Sequence, residues 1–255
     1  MANVGGQAKR SNHTFIAVAA IIAVMVIIVG YLTSQFVGRS PAVQSNAAAS
    51  NSDIKSTSSE EILEDEPWAL ILVNKWTPVP DGYENDIVFE KLRYDQSVDV
   101  RIYDSLQKMM DDCRADGLSP MVCSGYRSQE KQQELLNDKI KEYKRQGYSE
   151  EKAVTEAEKW VAVPGTSEHH LGIAVDIISE NYQYLDEKQE QTREQQWMLK
   201  NCWKYGFILR YPSGKSDLTG IYYEPWHYRY VGKKAAKYIT ENNLCLEEYL
   251  AMDNQ

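Results

Sequence analysis

The stretch Ser167-Glu168-His169-His170-Leu171-Gly172-Ile173-Ala174-Val175-Asp176 constrains this chain more than any other. It holds two of the four histidines and closes a short apolar run on an aspartate, while a third histidine stands far downstream in Glu224-Pro225-Trp226-His227. Two imidazoles and one carboxylate are the ligand set of a catalytic zinc that keeps its fourth position open for water. A chain using that set must carry the segment ending at Asp176 up against the one containing His227. His169 and Asp176 cannot share a helical face with Gly172 and β-branched residues between them. The expected path is a loop histidine, a reversal helped by Gly172, and Asp176 on a strand, with His227 on a neighbouring strand or turn. Pro225 excludes a normal helix interior for Glu224-x-x-His227. Residues three apart on a regular strand face opposite ways, so a turn or bulge must bring Glu224 and His227 to one site.

His169 and His170 need separating. Neighbours in extended backbone point opposite ways, so one of them is a ligand, and spacing does not choose between them. A lone histidine would be read as an ordinary polar residue. Three of them gathered with Asp176 and Glu224 favour a metal. Glu224 is the candidate general base, since a zinc-bound water ionises at a pKa of about 7 and a nearby carboxylate can take its proton. Arg127, in Ser124-Gly125-Tyr126-Arg127-Ser128, could bind a substrate carboxylate or a developing oxyanion through its fork of donors. Taken alone, an arginine at a helix start is more often a surface or ion-pair residue. The sequence has no serine-centred nucleophile motif, no cysteine beside a histidine and no glycine-rich phosphate loop, so nucleophilic catalysis and phosphate chemistry fit poorly. A net charge of −9 and a pI near 5.1 argue against nucleic acid as a partner.

Residues 14–32 form an uncharged apolar run with no polar face. As a helix at about 1.5 Å per residue it spans roughly the hydrocarbon thickness of a bilayer. Lys9 and Arg10 precede it and Arg39 follows it. The expected layout is therefore a cytoplasmic N-terminus over residues 1–13 and a single-pass anchor over 14–33 in the cell membrane. The rest would lie outside the cytoplasm. A cleaved signal peptide is the competing reading, with Ala47-Ala48-Ala49 as its site, but the run is long for a signal core and the site is remote from it. Residues 34–66, rich in Ser, Ala, Asn and acidic side chains, have little to bury and read as a flexible linker. The folded domain is expected over 67–255. Four cysteines without C-x-x-C spacing suggest two disulfides in such a compartment, and Cys113–Cys123 with Cys202–Cys245 is the favoured pairing.

Within the domain, periodicity predicts an extended lead-in at 68–73 and a helix over 98–115 ended by Asp116-Gly117. It predicts strands at 120–123, 174–178, 206–211 and 226–231. Further helices are expected over 128–145, from an N-cap at Ser149 to about 160, over 187–205 and over 233–250. Strands and helices alternate without a regular βαβ rhythm, which indicates α+β: a small sheet with helices on one side.

Ser167-x-His169-x-x-Gly172-x-Ala174-x-Asp176 followed by Glu224-x-Trp226-His227 resembles the zinc signature of the VanY-type D-alanyl-D-alanine carboxypeptidases, of the group that includes Hedgehog-like folds. Leu72-Val73-Asn74-Lys75, Cys123 to Ser128 with Gln132, Phe207 to Pro212, and Trp226 to Gly232 resemble the same family, in the same order. The resemblance implies zinc on His169, Asp176 and His227, which settles the choice against His170. It also implies Glu224 as catalytic base and Arg127 as the group steadying the scissile carbonyl, with Gln132, Ser167 and Trp226 lining the substrate pocket. It further implies a small antiparallel sheet with helices around it. The substrate would be a peptidoglycan stem peptide trimmed of its C-terminal D-alanine. An L,D-carboxypeptidase acting on tetrapeptide stems shares the same catalytic residues and is the nearest alternative. An endopeptidase and a non-catalytic, zinc-containing wall-binding module are the others, although the module would be expected to lack Glu224.

Overall fold

The computed structural model describes residues 66–252. The expected N-terminus and anchor lie outside the described residues, as does the linker apart from Glu66, whose carboxylate accepts a hydrogen bond from the Tyr230 hydroxyl at 2.9 Å. Among the described residues no helix is long and apolar enough to cross a membrane.

The first part of the expected extended lead-in is a 3-10 turn, Pro67–Leu70, as suits a proline at its first position, and the backbone is extended only from Ile71. A short hairpin follows where periodicity predicts no strand: β1 (Phe89–Lys91) pairs antiparallel with β2 (Ser97–Asp99). Asp99 then caps α1 (Val100–Ala115), accepting from the Arg101 backbone N–H at 2.9 Å. Next come β3 (Pro120–Ser124), α2 (Gln129–Arg145) capped by Ser128, and α3 (Glu150–Ala157) capped by Ser149. After a 3-10 turn at Glu168–Leu171 the chain enters β4 (Ala174–Ser179).

The single helix expected over 187–205 is three pieces: a 3-10 turn Glu187–Gln191, α4 (Arg193–Asn201), and a second 3-10 turn Cys202–Tyr205. The Thr192 hydroxyl accepts from the Gln195 N–H and so starts a fresh helix inside the run. The chain continues through β5 (Phe207–Leu209), the one-turn α5 (Ser216–Thr219) and β6 (His227–Tyr230). It closes with α6 (Lys233–Glu241) and α7 (Leu246–Met252), where one helix was expected over 233–250. Asn243 at φ 52° breaks it, adopting the left-handed conformation that asparagine tolerates better than most residues.

Four strands form an antiparallel sheet in the order β3-β4-β6-β5, so the fold is α+β as expected. Alternation gives this sheet two distinct faces. Val122, Val175, Ile177, Tyr228, Tyr230 and Phe207 enter the main core, packed with Ile102, Leu106 and Met109 of α1 and Met198 of α4. Ile208 turns the other way into a second cluster with Ala235, Ala236 and Ile239 of α6 and Leu246 of α7, so helices cover both faces of the sheet and not one side as expected. All six residues of β4 are buried. The polar residues on its far face therefore sit inside the protein.

The expected disulfides do not form: Cys113, Cys123, Cys202 and Cys245 are all free. Cys113 and Cys202 pack as small apolar side chains in the main core, and Cys123 turns its Sγ to the Asp176 carbonyl at 3.5 Å. Burial pushes the Cys113 and Cys202 thiols up to about 12, keeping them protonated.

Candidate metal centre

Strand register assembles the centre. Asp176 on β4 and His227 on β6 are direct cross-strand partners, so their side chains leave the sheet on the same face. The nearest approach is 3.2 Å, from His227 Nδ1 to Asp176 Oδ1. His169 reaches the same place from the 3-10 turn that precedes β4, with its Nε2 3.4 Å from Asp176 Oδ2. Gly172 ends that turn at φ 69°, and a Cβ there would also meet the Asp99 backbone N at 3.2 Å. Both the dihedral and the close approach call for glycine.

The His169 Nδ1 lies 2.7 Å from the Gly125 carbonyl, which accepts its N–H and leaves Nε2 as the free lone pair. His170, by contrast, has both nitrogens engaged. Its Nδ1 donates to the Arg127 carbonyl at 2.6 Å and its Nε2 accepts from the Gly165 N–H at 3.2 Å. It is a neutral cross-link between loops.

Glu224 and His227 meet through the turn that the sequence required. The His227 N–H donates to the Glu224 carbonyl at 3.1 Å, with Pro225 second in the turn, and Glu224 Oε2 comes to 3.6 Å from His227 Nδ1. Arg127 sits on the opposite flank of Asp176. Its Nη2 donates to Asp176 Oδ2 at 3.3 Å and to Ser124 Oγ at 2.7 Å, and its Nη1 donates to Gln132 Oε1 at 2.8 Å. A register shift in β3 between Val122 and Ser124 places that hydroxyl beside Asp176.

Gln132 lies in the wall of a cavity beside the centre, but both ends of its amide are occupied, since Nε2 donates to the Ala162 carbonyl at 2.7 Å. Its visible work is to hold Arg127. Ser167 and Trp226 lie in the wall of the same cavity, about 380 Å³ in volume, which opens along one face of α2 through Leu135, Lys139 and Glu142. Two residues near the centre carry no signal that singles them out in the sequence. The Tyr211 ring stacks at a tilt against His227, centroids 4.7 Å apart. Glu168 lies 3.4 Å from the other His227 nitrogen. Its one mark is its position beside His169, where a glutamate in a surface loop looks no different.

The donor set suits a divalent cation. Ligand atoms of His169, Asp176 and His227 all fall within 4.8 Å of one another. Asp176 Oδ1 is buried with no hydrogen-bond partner, an arrangement that a cation would satisfy. Two neutral nitrogens and one carboxylate match zinc. Burial pulls His169 down to about 4, with Arg127 adding to the effect. Burial would lift Asp176, but His169 and His227 hold it well below the usual carboxylate range. Burial also lowers His227, yet the Asp176 and Glu168 carboxylates beside its two nitrogens outweigh it and raise this histidine to about 9. Burial pushes Glu224 up to about 8. A carboxyl group with that proton affinity can hold and release a proton near neutral pH.

Residues 95–233 match the family model described as "VanY: D-alanyl-D-alanine carboxypeptidase". A D-alanyl-D-alanine carboxypeptidase of Enterococcus faecalis is 48% identical over 187 residues, covering 73% of this chain and 67% of the relative. Among solved structures, a mutant of the vancomycin-resistance D,D-pentapeptidase VanY, in complex with Zn(II), is 48% identical with a TM-score of 0.66. That match covers 72% of this chain and 99% of the other. The LdcB LD-carboxypeptidase is 38% identical with a TM-score of 0.60, over 72% of this chain and 87% of the other.

Proposed function

The chain belongs to the VanY family of D-alanyl-D-alanine carboxypeptidases, and we propose that its buried His169–Asp176–His227 centre removes the C-terminal D-alanine from peptidoglycan stem peptides. It is a zinc metallocarboxypeptidase of that family. The observation that carries the reading is the cross-strand pair Asp176–His227, with Glu224 on one flank and Arg127 on the other.

His169, Asp176 and His227 would hold the zinc, which would supply Lewis acidity at the scissile carbonyl and lower the pKa of water. The protein's own groups do the rest. Glu224 Oε2 accepts the proton of the attacking water and, with its raised proton affinity, hands it to the departing D-alanine amine. Arg127 is held by Gln132 and Ser124 so that its guanidinium faces the cavity, where it steadies the oxyanion that develops on the carbonyl. Trp226 and Tyr211 wall the site with aromatic surface and strengthen these charges by excluding water. Ser167 lines the pocket beside them.

The test is direct. The zinc-loaded protein is given a pentapeptide stem and, separately, a tetrapeptide stem, and released D-alanine is followed by mass. Release from the pentapeptide supports the reading. The likeness to an LD-carboxypeptidase supports a second one, and release from the tetrapeptide alone would select it. No release from either, with zinc bound, would point to an endopeptidase or to a non-catalytic wall-binding module.

We further propose that residues 14–33 anchor the chain as a single membrane span with the catalytic domain on the outer face of the cell membrane. The uncharged apolar run and the Lys9-Arg10 pair before it support this placement. Protease added to intact spheroplasts should then digest the catalytic domain, and its full protection would sink the placement.

A further inference from the structure

We infer that Glu168 is a positioning residue for the metal centre: its Oε2 fixes the tautomer and ring plane of His227, and a buried chain of charges running to the last helix holds Glu168 in place. The inference rests on the zinc reading above and concerns a residue outside the ligand set.

The Glu168 side chain is wholly buried, and its two oxygens have different partners. Oε1 accepts from Arg210 Nε at 2.6 Å and from Arg229 Nη1 at 2.8 Å. Oε2 takes no hydrogen bond from either arginine and faces His227 Nε2 at 3.4 Å, and each of these two atoms lacks any other partner. Buried polar atoms are rarely left unpaired, and each of these two is the other's one neighbour in reach. The carboxylate can only accept, which puts the proton on Nε2. Nδ1, which faces Asp176, is then the nitrogen left for a shared metal. With a cation held between Nδ1 and Asp176, only the other tautomer would set a lone pair against a bare carboxylate, that of Glu168. Glu168 therefore selects the ligating form, as carboxylates behind metal-bound histidines do.

Behind Glu168 the network continues. Arg210 Nη1 and Nη2 fork onto Glu247 Oε2 and Oε1 of α7 at 2.9 and 2.7 Å, and Glu247 also accepts from Asn74 Nδ2 at 3.1 Å. Arg229 Nη2 donates to the Ala69 and Ile71 carbonyls, both at 2.8 Å. Two carboxylates and two guanidiniums cancel in charge, and both ends of the described chain are pinned to the carboxylate behind His227. Buried ion clusters add little stability over apolar packing. An oxygen left free to face a metal ligand gives this one a use.

The experiment compares full-length wild-type protein with Glu168→Gln and Glu247→Gln. Zinc affinity is read by chelator competition, and the ligand field from the visible spectrum of the cobalt(II)-substituted forms. In the wild-type zinc form, ¹⁵N–¹H correlation spectra report which nitrogen of His227 carries the proton. We expect the proton on Nε2, zinc binding about 10- to 100-fold weaker in Glu168→Gln with displaced cobalt bands, and a smaller loss in Glu247→Gln. Unchanged affinity and spectrum in Glu168→Gln would overturn the inference, as would a bare Nε2 in the wild type. Should Glu168→Gln fail to fold, Glu247→Gln carries the test, and an unchanged zinc affinity and cobalt spectrum in that variant would overturn the inference. Wild-type protein that takes up no zinc would overturn both this role and the metal reading, whereas normal zinc uptake with an unaffected Glu168→Gln removes this role alone.

Discussion

The Arg127 guanidinium donates to Asp176 Oδ2 across 3.3 Å, so the group assigned to the scissile carbonyl is tied directly to a group assigned to the metal. Arg127 is 14% exposed in its side chain and is braced by Ser124 and Gln132. Arg127 lines the cavity with its guanidinium already held in place, and preorganised donors lose no energy to rearrangement during reaction.

Arg127→Ala should therefore lower kcat on a pentapeptide stem about a hundred- to a thousandfold while the protein still folds. Arg127→Lys should not rescue it, because one ammonium cannot serve Gln132, Ser124 and Asp176 in the plane that a guanidinium does. Steady-state kinetics on the two variants check this, and a fully active lysine variant would count against the role.

Glu224→Gln keeps the shape of the side chain and removes its capacity to accept a proton. Turnover should drop by about 10²–10⁴-fold with zinc content unchanged, as measured by metal analysis beside the activity assay. Retained turnover would assign the base elsewhere.

The two adjacent histidines should separate cleanly. His169→Ala and His227→Ala should lose zinc and activity together. His170→Ala should keep zinc and lose about 1–3 kcal/mol of stability, because its two buried hydrogen bonds leave the Arg127 carbonyl and the Gly165 N–H without partners. Zinc content and thermal unfolding of all three decide it, and zinc loss in His170→Ala alone would reverse the ligand assignment.

Zinc uptake should release protons. In the metal-free protein His227 titrates near 9, so below that pH it carries a proton that a metal must displace. Affinity should then fall by about tenfold for each pH unit below 9 and level off above it. Calorimetry in buffers of different ionisation enthalpy reads the proton count at pH 7, where at least one is expected. A count of zero would show that His227 is already neutral.

Gly125→Ala should damage fold and site together. A Cβ at that position would come to 2.3 Å of the Ser97 carbonyl oxygen, and the Gly125 carbonyl is what orients His169. A stability loss of about 1–3 kcal/mol should accompany weaker zinc binding, read by denaturant titration and chelator competition on the same preparation.

Much of this site is legible in the order of the residues. The pattern around His169, Asp176, Glu224 and His227 requires a reversal at Gly172 and a turn at Pro225, and the backbone makes both. Local rules also find α1, α2 and β4 to within a few residues, because caps and periodicity act over a few residues and are written in sequence. What they miss is set at longer range. Thr192 and Asn243 split helices whose periodicity alone looks continuous. The cysteines are each consumed by packing rather than by one another.

By itself the sequence determined which residue types were available to hold a metal and which segments had to approach. Only the tertiary structure decided that Asp176 faces His227 in register, that His170 spends both nitrogens on loops, and that Glu168 stands behind His227. The reason is physical. Strand register, burial and the pairing of buried charges depend on partners distant in the chain, and a carboxylate becomes a ligand, a base or a brace according to what surrounds it.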